Sequence, residues 1–232
     1  MKNYRKNNSN LPRKGSGNDD TTSQSYYISK EMCNDKSDSL IQATILRSIG
    51  GKFSVIDKNK NQYSCSARGI FRYDKIKPLP GDKVLISSYD NLEVKHNSDD
   101  GSNGTIEKIL PRKNVLIRPP LANLDKLFVI ISSAYPSPST IITDKLITIA
   151  EFNLIEPVII VSKSDLDEKN SGRIKKIYQK CGFTVFETSA ENKTGISDLL
   201  SYISQTCKNE ISSFAGVSGA GKSTLMNTLF PS

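Results

Sequence analysis

The sequence predicts an all-β domain followed by an α/β domain with a parallel sheet, the two preceded by a polar tail. Three observations support this fold class. Residues 1–39 contain few side chains that can build a core, residues 40–118 contain short β-like runs separated by turns, and residues 119–232 alternate strand-like and helix-like segments. A chain of 232 residues is long enough for two domains of ordinary size.

The tail is rich in Asn, Ser, Lys and Asp, and we expect it to be disordered. It starts with a basic stretch but has no apolar segment, so it does not resemble a secretory signal. No apolar run approaches the roughly 18 residues that cross a bilayer, so we expect a cytoplasmic protein that does not contact membranes.

The cysteines lie far apart, without a CxxC pair, and the chain has one histidine, His96. This pattern indicates neither a zinc site nor a disulfide framework within these residues, and we expect reduced thiols. The four cysteines are Cys33, Cys65, Cys181 and Cys207.

The β-like segment, residues 40–118, is also the basic part of the chain. It holds fourteen Lys or Arg and eight Asp or Glu, whereas residues 119–232 hold eleven of each class. This excess is compatible both with an ordinary solvated surface and with a polyanion partner.

The strand-like runs of this segment predict a small barrel or sandwich. They cover residues 42–49, 52–57, 62–67 and 82–87, with turn signals such as Gly50-Gly51, Lys60-Asn61 and Pro80-Gly81 between them.

The second half of the chain shows the rhythm of parallel βαβ units. Strands are predicted at 127–131, 157–161, 184–188 and 211–215, with helices near 139–152, 168–181 and 196–205. Two of the helices carry apolar residues at helical spacing, which predicts that one face of each packs on the sheet. The predicted core residues are Ile174, Ile177, Tyr178 and Cys181 in one helix and Ile196, Leu199, Leu200 and Ile203 in the other.

The strongest motif follows the last predicted strand, where residues 216–223 read GVSGAGKS and match G-x-x-x-x-G-K-[ST]. Such a loop directs successive backbone N–H groups and the positive end of the following helix at phosphates. We expect Lys222 to bridge the β- and γ-phosphates, Ser223 to ligate Mg²⁺ and Thr224 to meet the α-phosphate. The predicted phosphate-binding residues are Gly216, Val217, Ser218, Gly219, Ala220, Gly221, Lys222, Ser223 and Thr224.

Two segments at the ends of earlier strands can select the base. Residues 162–166, SKSDL, place the Asp165 carboxylate where it can accept from guanine N1 and N2, positions at which adenine has no donor. Residues 188–190, TSA, can place the Ala190 N–H at guanine O6. A lone KxD also fits an exposed helix start, but the two segments in order favour a guanine site. The predicted guanine-binding residues are Ser162, Lys163, Ser164, Asp165, Ser189 and Ala190.

The order of these motifs, SKxD and SA before the phosphate loop, resembles that of the circularly permuted GTPases. Within that group, residues 65–84, 104–132 and 144–166 are similar to the ribosome small-subunit-dependent GTPase A family (RsgA, YjeQ-like). The resemblance implies an OB-fold barrel and a circularly permuted P-loop GTPase domain. It also implies hydrolysis of GTP to GDP and phosphate during late maturation of the small ribosomal subunit.

The resemblance implies GTP or GDP with Mg²⁺ as ligands and the small ribosomal subunit with its rRNA as partner, and we expect a monomer. An RNA-binding barrel agrees with the positive charge of residues 40–118, where basic side chains surround Phe71 and Tyr73. These aromatic residues are also compatible with ordinary core packing. The RNA-binding candidates are Arg68, Arg72, Lys75 and Lys77.

The sequence departs from the family pattern at several points. Ser162 stands where the family more often has Asn or Thr, and Glu191 replaces the lysine common after the SA pair. Since one neutral hydrogen bond contributes about 1 kcal/mol, we expect Ser162 to weaken nucleotide binding several-fold without changing base choice. The implied switch segments, two strands and zinc-binding domain do not occur within the 232 residues. We therefore expect a C-terminally truncated fragment that binds GTP better than it hydrolyses it, with zinc only in the missing domain.

No catalytic base is identified by these residues. Two other functions stay open at this point: a truncated, non-hydrolysing module that binds rRNA or nucleotide, and an ATP-using P-loop enzyme. The first would bind RNA even without nucleotide binding. The second would keep its base preference when Asp165 is replaced by Asn.

Overall fold

The computed structural model describes residues 40–69, 71, 76–88, 102–208 and 210–231. The predicted tail, Tyr73, His96, Cys33 and two of the RNA-binding candidates, Arg72 and Lys75, lie outside these residues.

The first strands that the structure describes form a closed, OB-like barrel. They are β1 (Ile41–Ile49), β2 (Lys52–Asp57), β3 (Gln62–Ala67), β4 (Lys83–Ser88) and β5 (Gly104–Ile109). The strand order is β1-β2-β3-β5-β4, and β4 closes the barrel on β1. All pairs are antiparallel except β3 and β5, which run parallel. The all-β prediction is confirmed, although β5 was not among the predicted strands.

Alternation along the strands builds the barrel core. In β2, for example, Phe53 and Val55 point inward and are buried, and Ile106 in β5 is fully buried. The β1–β2 connection is Gly50-Gly51, whose φ angles of 58° and 83° fit a two-residue hairpin with both central residues at positive φ. Phe71 packs partly buried against this core, as its alternative interpretation predicted.

A short hairpin and a four-stranded parallel sheet follow the barrel. The hairpin consists of β6 (Val115–Leu116) and β7 (Leu121–Ala122); the sheet contains β8 (Lys126–Ser132), β9 (Glu156–Ser162), β10 (Thr184–Glu187) and β11 (Ser212–Gly216). The helices are α1 (Thr140–Phe152), α2 (Glu168–Lys180), α3 (Ile196–Thr206) and α4 (Lys222–Leu229). The sheet order is β10-β9-β8-β11. The predicted strand and helix alternation is confirmed, and no helix in the described ranges is long and apolar enough to cross a membrane.

The sheet is covered on both faces, which explains its continuous apolar strands. All seven residues of β8 are buried. One face packs against α1 and α2 through side chains such as Ile147 and Ile174, and the other packs against α3 and α4 through Leu199 and Leu225.

Three residues predicted to lie in the helix core face solvent instead. Ile177 is 41% exposed, Leu200 is 40% exposed, and Cys181 is exposed. In α2 only Ser171, Ile174 and Tyr178 are buried. Only a narrow face of each helix contacts the sheet. Apolar residues next to that face are therefore exposed to solvent.

Buried polar contacts join the turn before β4 to the two segments that flank the β6–β7 hairpin. The fully buried Asp82 carboxylate accepts from Arg112 Nε at 2.6 Å and from Arg112 Nη2 at 2.7 Å. Asn123 Nδ2 donates to the Gly81 carbonyl at 2.9 Å. Gly81 has φ 91°, and a Cβ there would lie 2.0 Å from the Ala122 carbonyl oxygen, so only glycine fits this close approach.

Candidate nucleotide-binding site

The phosphate loop connects the end of β11 to the start of α4, as the motif predicts. Gly216, Gly219 and Gly221 have φ angles of 150°, 78° and 91°, a region in which L side chains are strained. A Cβ at Gly216 would lie 2.4 Å from the Ile130 carbonyl oxygen in the neighbouring strand. The glycine spacing is therefore required by the path of the backbone.

The N-terminus of α4 is not capped by a side chain. Gly221 occupies the N-cap position, so the first amide N–H groups of the helix have no side-chain acceptor there. Lys222 Nζ donates to the carbonyl oxygens of Gly216 at 3.0 Å and Val217 at 2.8 Å, which places the ammonium group within the loop. Ser223 and Thr224 are exposed in the first turn of the helix. Uncapped amides with an adjacent lysine form an anion-binding arrangement.

The SKSD segment contacts the phosphate loop directly. Ser162, at the end of β9, donates from Oγ to the Ala220 carbonyl oxygen at 2.6 Å. Lys163 Nζ donates to the Gly219 carbonyl at 2.8 Å and to the Tyr135 carbonyl at 2.6 Å. Ser162 thus ties the SKSD segment to the phosphate loop, although its side chain is shorter than the Asn that the family more often has.

Ser164 and Asp165 follow Lys163 in the turn between β9 and α2. The Asp165 carboxylate is exposed, in a tight turn in which the Leu166 N–H donates to the Lys163 carbonyl at 3.0 Å. The Ser164 N–H donates to the Thr188 carbonyl at 3.1 Å, which joins the turn to the TSA segment. A carboxylate held this way on a rigid turn can accept two hydrogen bonds from one ligand edge.

The TSA segment is held by its own backbone and by Gly195. Ser189 N–H donates to the Thr194 carbonyl at 3.0 Å, and Ser189 Oγ accepts from the Asn192 N–H at 3.1 Å. Gly195 has φ 70°, and a Cβ there would lie 1.9 Å from the Glu187 carbonyl oxygen. Ser189 is buried while Ala190 is half-buried, so the segment presents Ala190 toward the surface.

Glu187, at the end of β10, is linked to α2. Its carboxylate accepts from Ser171 Oγ at 2.9 Å and from Lys175 Nζ at 2.8 Å. Partial burial raises the pKa of Glu187, but the hydrogen bonds and the Lys175 charge outweigh it, so the pKa lies below the usual glutamate value. These contacts fix α2 against the strand that carries the TSA segment.

Sequence reasoning missed a third strand end at this site, the loop after β8. Ser133 is fully buried; its Oγ donates to the Lys163 carbonyl at 2.6 Å and its N–H donates to the Ser162 carbonyl at 2.9 Å. Asn170 Nδ2 in α2 donates to the Ser133 carbonyl at 2.6 Å. The signal was present, since polar residues follow β8 as they follow β9 and β10, at the same edge of a parallel sheet.

The donor set suits magnesium shared with a nucleotide better than an all-protein metal site. Within the described residues no three His, Cys, Asp or Glu side chains cluster in a way that could hold a metal ion. The exposed Ser223 hydroxyl, beside the uncapped amides, is a single oxygen ligand. Mg²⁺ usually takes one or two protein oxygens and completes its shell with phosphates and water.

The described RNA-binding candidates, Arg68 and Lys77, belong to the barrel segment and lie in the connection between β3 and β4. Arg68 is exposed and pairs with Glu107 across the barrel surface, with 2.7 Å between Nη1 and Oε2. Lys77 is also exposed. The Arg68 pair neutralises part of the local positive charge.

A parallel sheet whose last described strand leads into the phosphate loop, after the SKSD and TSA segments, defines a circularly permuted P-loop GTPase domain. Comparison with known families gives the particular family. The RsgA GTPase model matches residues 109–232, and the RsgA N-terminal domain model matches residues 42–94. The chain belongs to the RsgA GTPase family.

Curated relatives and solved structures agree with this assignment. The small ribosomal subunit biogenesis GTPase RsgA of Carboxydothermus hydrogenoformans is 39% identical over 191 residues, covering 82% of this chain and 61% of the relative. That of Caldanaerobacter subterraneus is 37% identical, covering 82% and 59%. The crystal structure of YjeQ from Thermotoga maritima is 31% identical with a TM-score of 0.67, covering 83% of this chain and 66% of that one.

YloQ, described as a circularly permuted GTPase, is 29% identical with a TM-score of 0.63, covering 84% of this chain and 66% of that one. The chain therefore spans about three fifths of the length of the curated relatives it matches.

Proposed function

We propose that this chain binds GTP and GDP with Mg²⁺ and that it acts, as a GTPase of its family, on the small ribosomal subunit. The reaction proposed for the whole protein is hydrolysis of GTP to GDP and phosphate, and the phosphate loop with the SKSD and TSA segments would supply its nucleotide-binding part. The observation that carries the proposal is the contact of Ser162 and Lys163 with the carbonyl groups of Ala220 and Gly219. It joins the segment that can read a base to the segment that can hold phosphates.

The phosphate loop is proposed to hold the nucleotide through backbone amides and Lys222. The Lys222 ammonium group donates to two loop carbonyl oxygens. Phosphate oxygens would replace these neutral acceptors with charged ones, which form stronger hydrogen bonds. Ser223 would ligate Mg²⁺, which neutralises charge on the β- and γ-phosphates when bound. Thr224 would meet the α-phosphate.

Guanine is proposed to lie over Lys163, between the exposed Asp165 carboxylate and the backbone at Ala190. Asp165 would accept from N1 and N2 of the base, and the Ala190 N–H would donate to O6. Ser162, Ser164 and Ser189 position these groups through the hydrogen bonds described above.

We also propose a function for each segment of the chain. Residues 1–39 form a polar tail, residues 40–118 an RNA-binding barrel, and residues 119–232 the GTPase domain. The relatives are named as small ribosomal subunit biogenesis GTPases, and the barrel segment has six more basic than acidic residues. Arg68, Arg72, Lys75 and Lys77 are the proposed rRNA contacts, in a monomeric cytoplasmic protein.

Base selection tests the guanine site. Wild type should bind fluorescent GTP in preference to ATP, and Asp165→Asn should shift preference to xanthosine triphosphate, because the amide can donate to the carbonyl oxygen that xanthine carries at C2. Asp167→Asn is the matched control, since Asn also serves as an N-cap for α2 and base choice should stay with guanine. Equal binding of ATP and GTP by wild type would contradict the proposal.

The partner is tested by co-sedimentation with purified small ribosomal subunits. Wild type should sediment with small subunits, and more so with a non-hydrolysable GTP analogue than with GDP. Lys222→Ala should lose this nucleotide dependence together with nucleotide binding. Failure of wild type to sediment under either condition would contradict the ribosomal part of the proposal while leaving nucleotide binding intact.

A further inference from the structure

The outer face of α2 carries a stripe of basic side chains. Its members are Lys169, Arg173, Lys176 and Lys180, called here the α2 basic stripe. Successive members are separated by four, three and four residues, the spacing that places side chains on one helix face. The buried residues Ser171, Ile174 and Tyr178 lie on the opposite side.

The α2 basic stripe concentrates charge in a domain that is neutral as a whole. Residues 119–232 contain eleven Lys or Arg and eleven acids, and α2 alone holds five of those basic residues and one acid, Glu168. The fifth basic residue, Lys175, pairs with Glu187. All four stripe residues are exposed, and none of them forms an ion pair with another residue that the structure describes.

Part of this arrangement is unfavourable for the helix, although the helix dipole favours Lys180 in the last turn. Like charges three and four residues apart repel one another, and Lys169 lies in the first turn, where the helix dipole disfavours a cation. Gly172 lies beside the stripe and lowers helix propensity, although a Cβ there would meet only Glu187 Oε1, at 3.9 Å. A bound polyanion would offset the repulsion, and the missing side chain at Gly172 leaves a shallow groove along the stripe.

We propose that the α2 basic stripe binds the phosphate backbone of rRNA, as a second RNA surface separate from the barrel. This inference rests on the ribosomal partner proposed above. Complementary charge selects the ligand: four unpaired cations along three helical turns match a row of phosphates, and counterion release drives such contacts. Because α2 starts directly after the SKSD segment, RNA would contact the helix that carries Asn170, which holds the Ser133 loop.

The test is a charge reversal with a matched control. Arg173→Glu with Lys176→Glu changes the stripe, and Lys145→Glu with Lys208→Glu makes the same change in net charge at exposed positions on other parts of the domain. Binding to purified small ribosomal subunits and to protein-free rRNA is measured over a salt series. The stripe variant should lose about tenfold in affinity for both probes, with a salt slope smaller by about two, whereas the control should stay near wild type.

Binding of fluorescent GTP should be unchanged in both variants, and neither should unfold at a lower temperature than wild type, which separates this result from misfolding. Equal losses in the two variants would overturn the inference, because net charge would then explain them. Loss on subunits but not on protein-free rRNA would also overturn it and would indicate an acidic protein contact. Wild type that binds neither probe would remove the proposed ribosomal partner itself, whereas the other two outcomes leave that partner standing.

Discussion

The hydroxyl of Ser162 donates a hydrogen bond of 2.6 Å to the carbonyl oxygen of Ala220, 58 residues later in the chain. Both residues are buried. The bond holds the segment that follows β9 against the phosphate loop, and it links the two halves of the proposed nucleotide site.

Ser162→Ala should weaken nucleotide binding without unfolding the protein. Loss of one buried hydrogen bond between two parts of the protein costs about 1–2 kcal/mol, which lowers the affinity by at most about thirtyfold if the whole cost falls on the conformation that binds nucleotide. Fluorescent GTP titration measures this directly. Ser197→Ala, an exposed serine in α3, is the control and should bind as wild type does; an equal loss there would contradict the assigned role.

Gly216→Ala should destabilise the protein more than Gly182→Ala. Both glycines have positive φ, 150° and 90°, so either substitution places an L side chain in a strained region, at a cost of about 1–2 kcal/mol. A Cβ at position 216 would also lie 2.4 Å from the Ile130 carbonyl oxygen, too close for an ordinary contact. Nothing lies within 4 Å of a Cβ at position 182. Urea unfolding should separate the two variants, and equal midpoints would show that the close approach has little energetic weight.

Arg112→Ala should lower the free energy of unfolding far more than Arg68→Ala. Removing Arg112 leaves the fully buried Asp82 carboxylate without its charge partner, which costs about 3–5 kcal/mol. The Arg68 pair with Glu107 is solvent-exposed and contributes about 0–1 kcal/mol. The free energy of unfolding in urea at neutral pH measures both, and similar values for the two variants would be the contrary result.

Glu187 should make stability depend on pH in the acid range. Its pKa is lower in the folded state than in the unfolded chain, so the unfolded state binds the proton more readily. The stabilisation is therefore present above the unfolded pKa and is lost as pH falls through the folded pKa. Thermal unfolding of Glu187→Gln should show a weaker dependence over this acid range than wild type, with Glu191→Gln, an exposed glutamate, as control.

Much of the architecture was predictable because its signals are local. The β-like runs at 52–57 and 62–67 predicted strands that the structure has over the same residues, and the apolar run at 127–131 predicted a strand that the structure has as part of β8. β5 was missed because its sequence, GTIEKI, carries two charged residues and a glycine. It pairs with β3 and β4, and such pairing depends on partners far away in sequence.

Helix faces were predicted in part. Periodicity identified Ile174 and Leu199 as core residues, and both are buried. It also included Ile177 and Leu200, which are exposed, because spacing gives the direction of an apolar face but not the width of the surface that covers it.

The sequence by itself determined the phosphate-loop motif, the SKSD and TSA segments and their order, since each motif needs a particular residue type at a particular spacing. Tertiary structure alone decided how they meet. Ser133, Tyr135 and Asn170 have no motif, yet they hold Lys163 and its loop through hydrogen bonds that cross 28 to 37 residues of chain. Parallel strands bring their carboxyl ends to one edge of the sheet, and only that packing shows which polar groups lie within hydrogen-bonding distance.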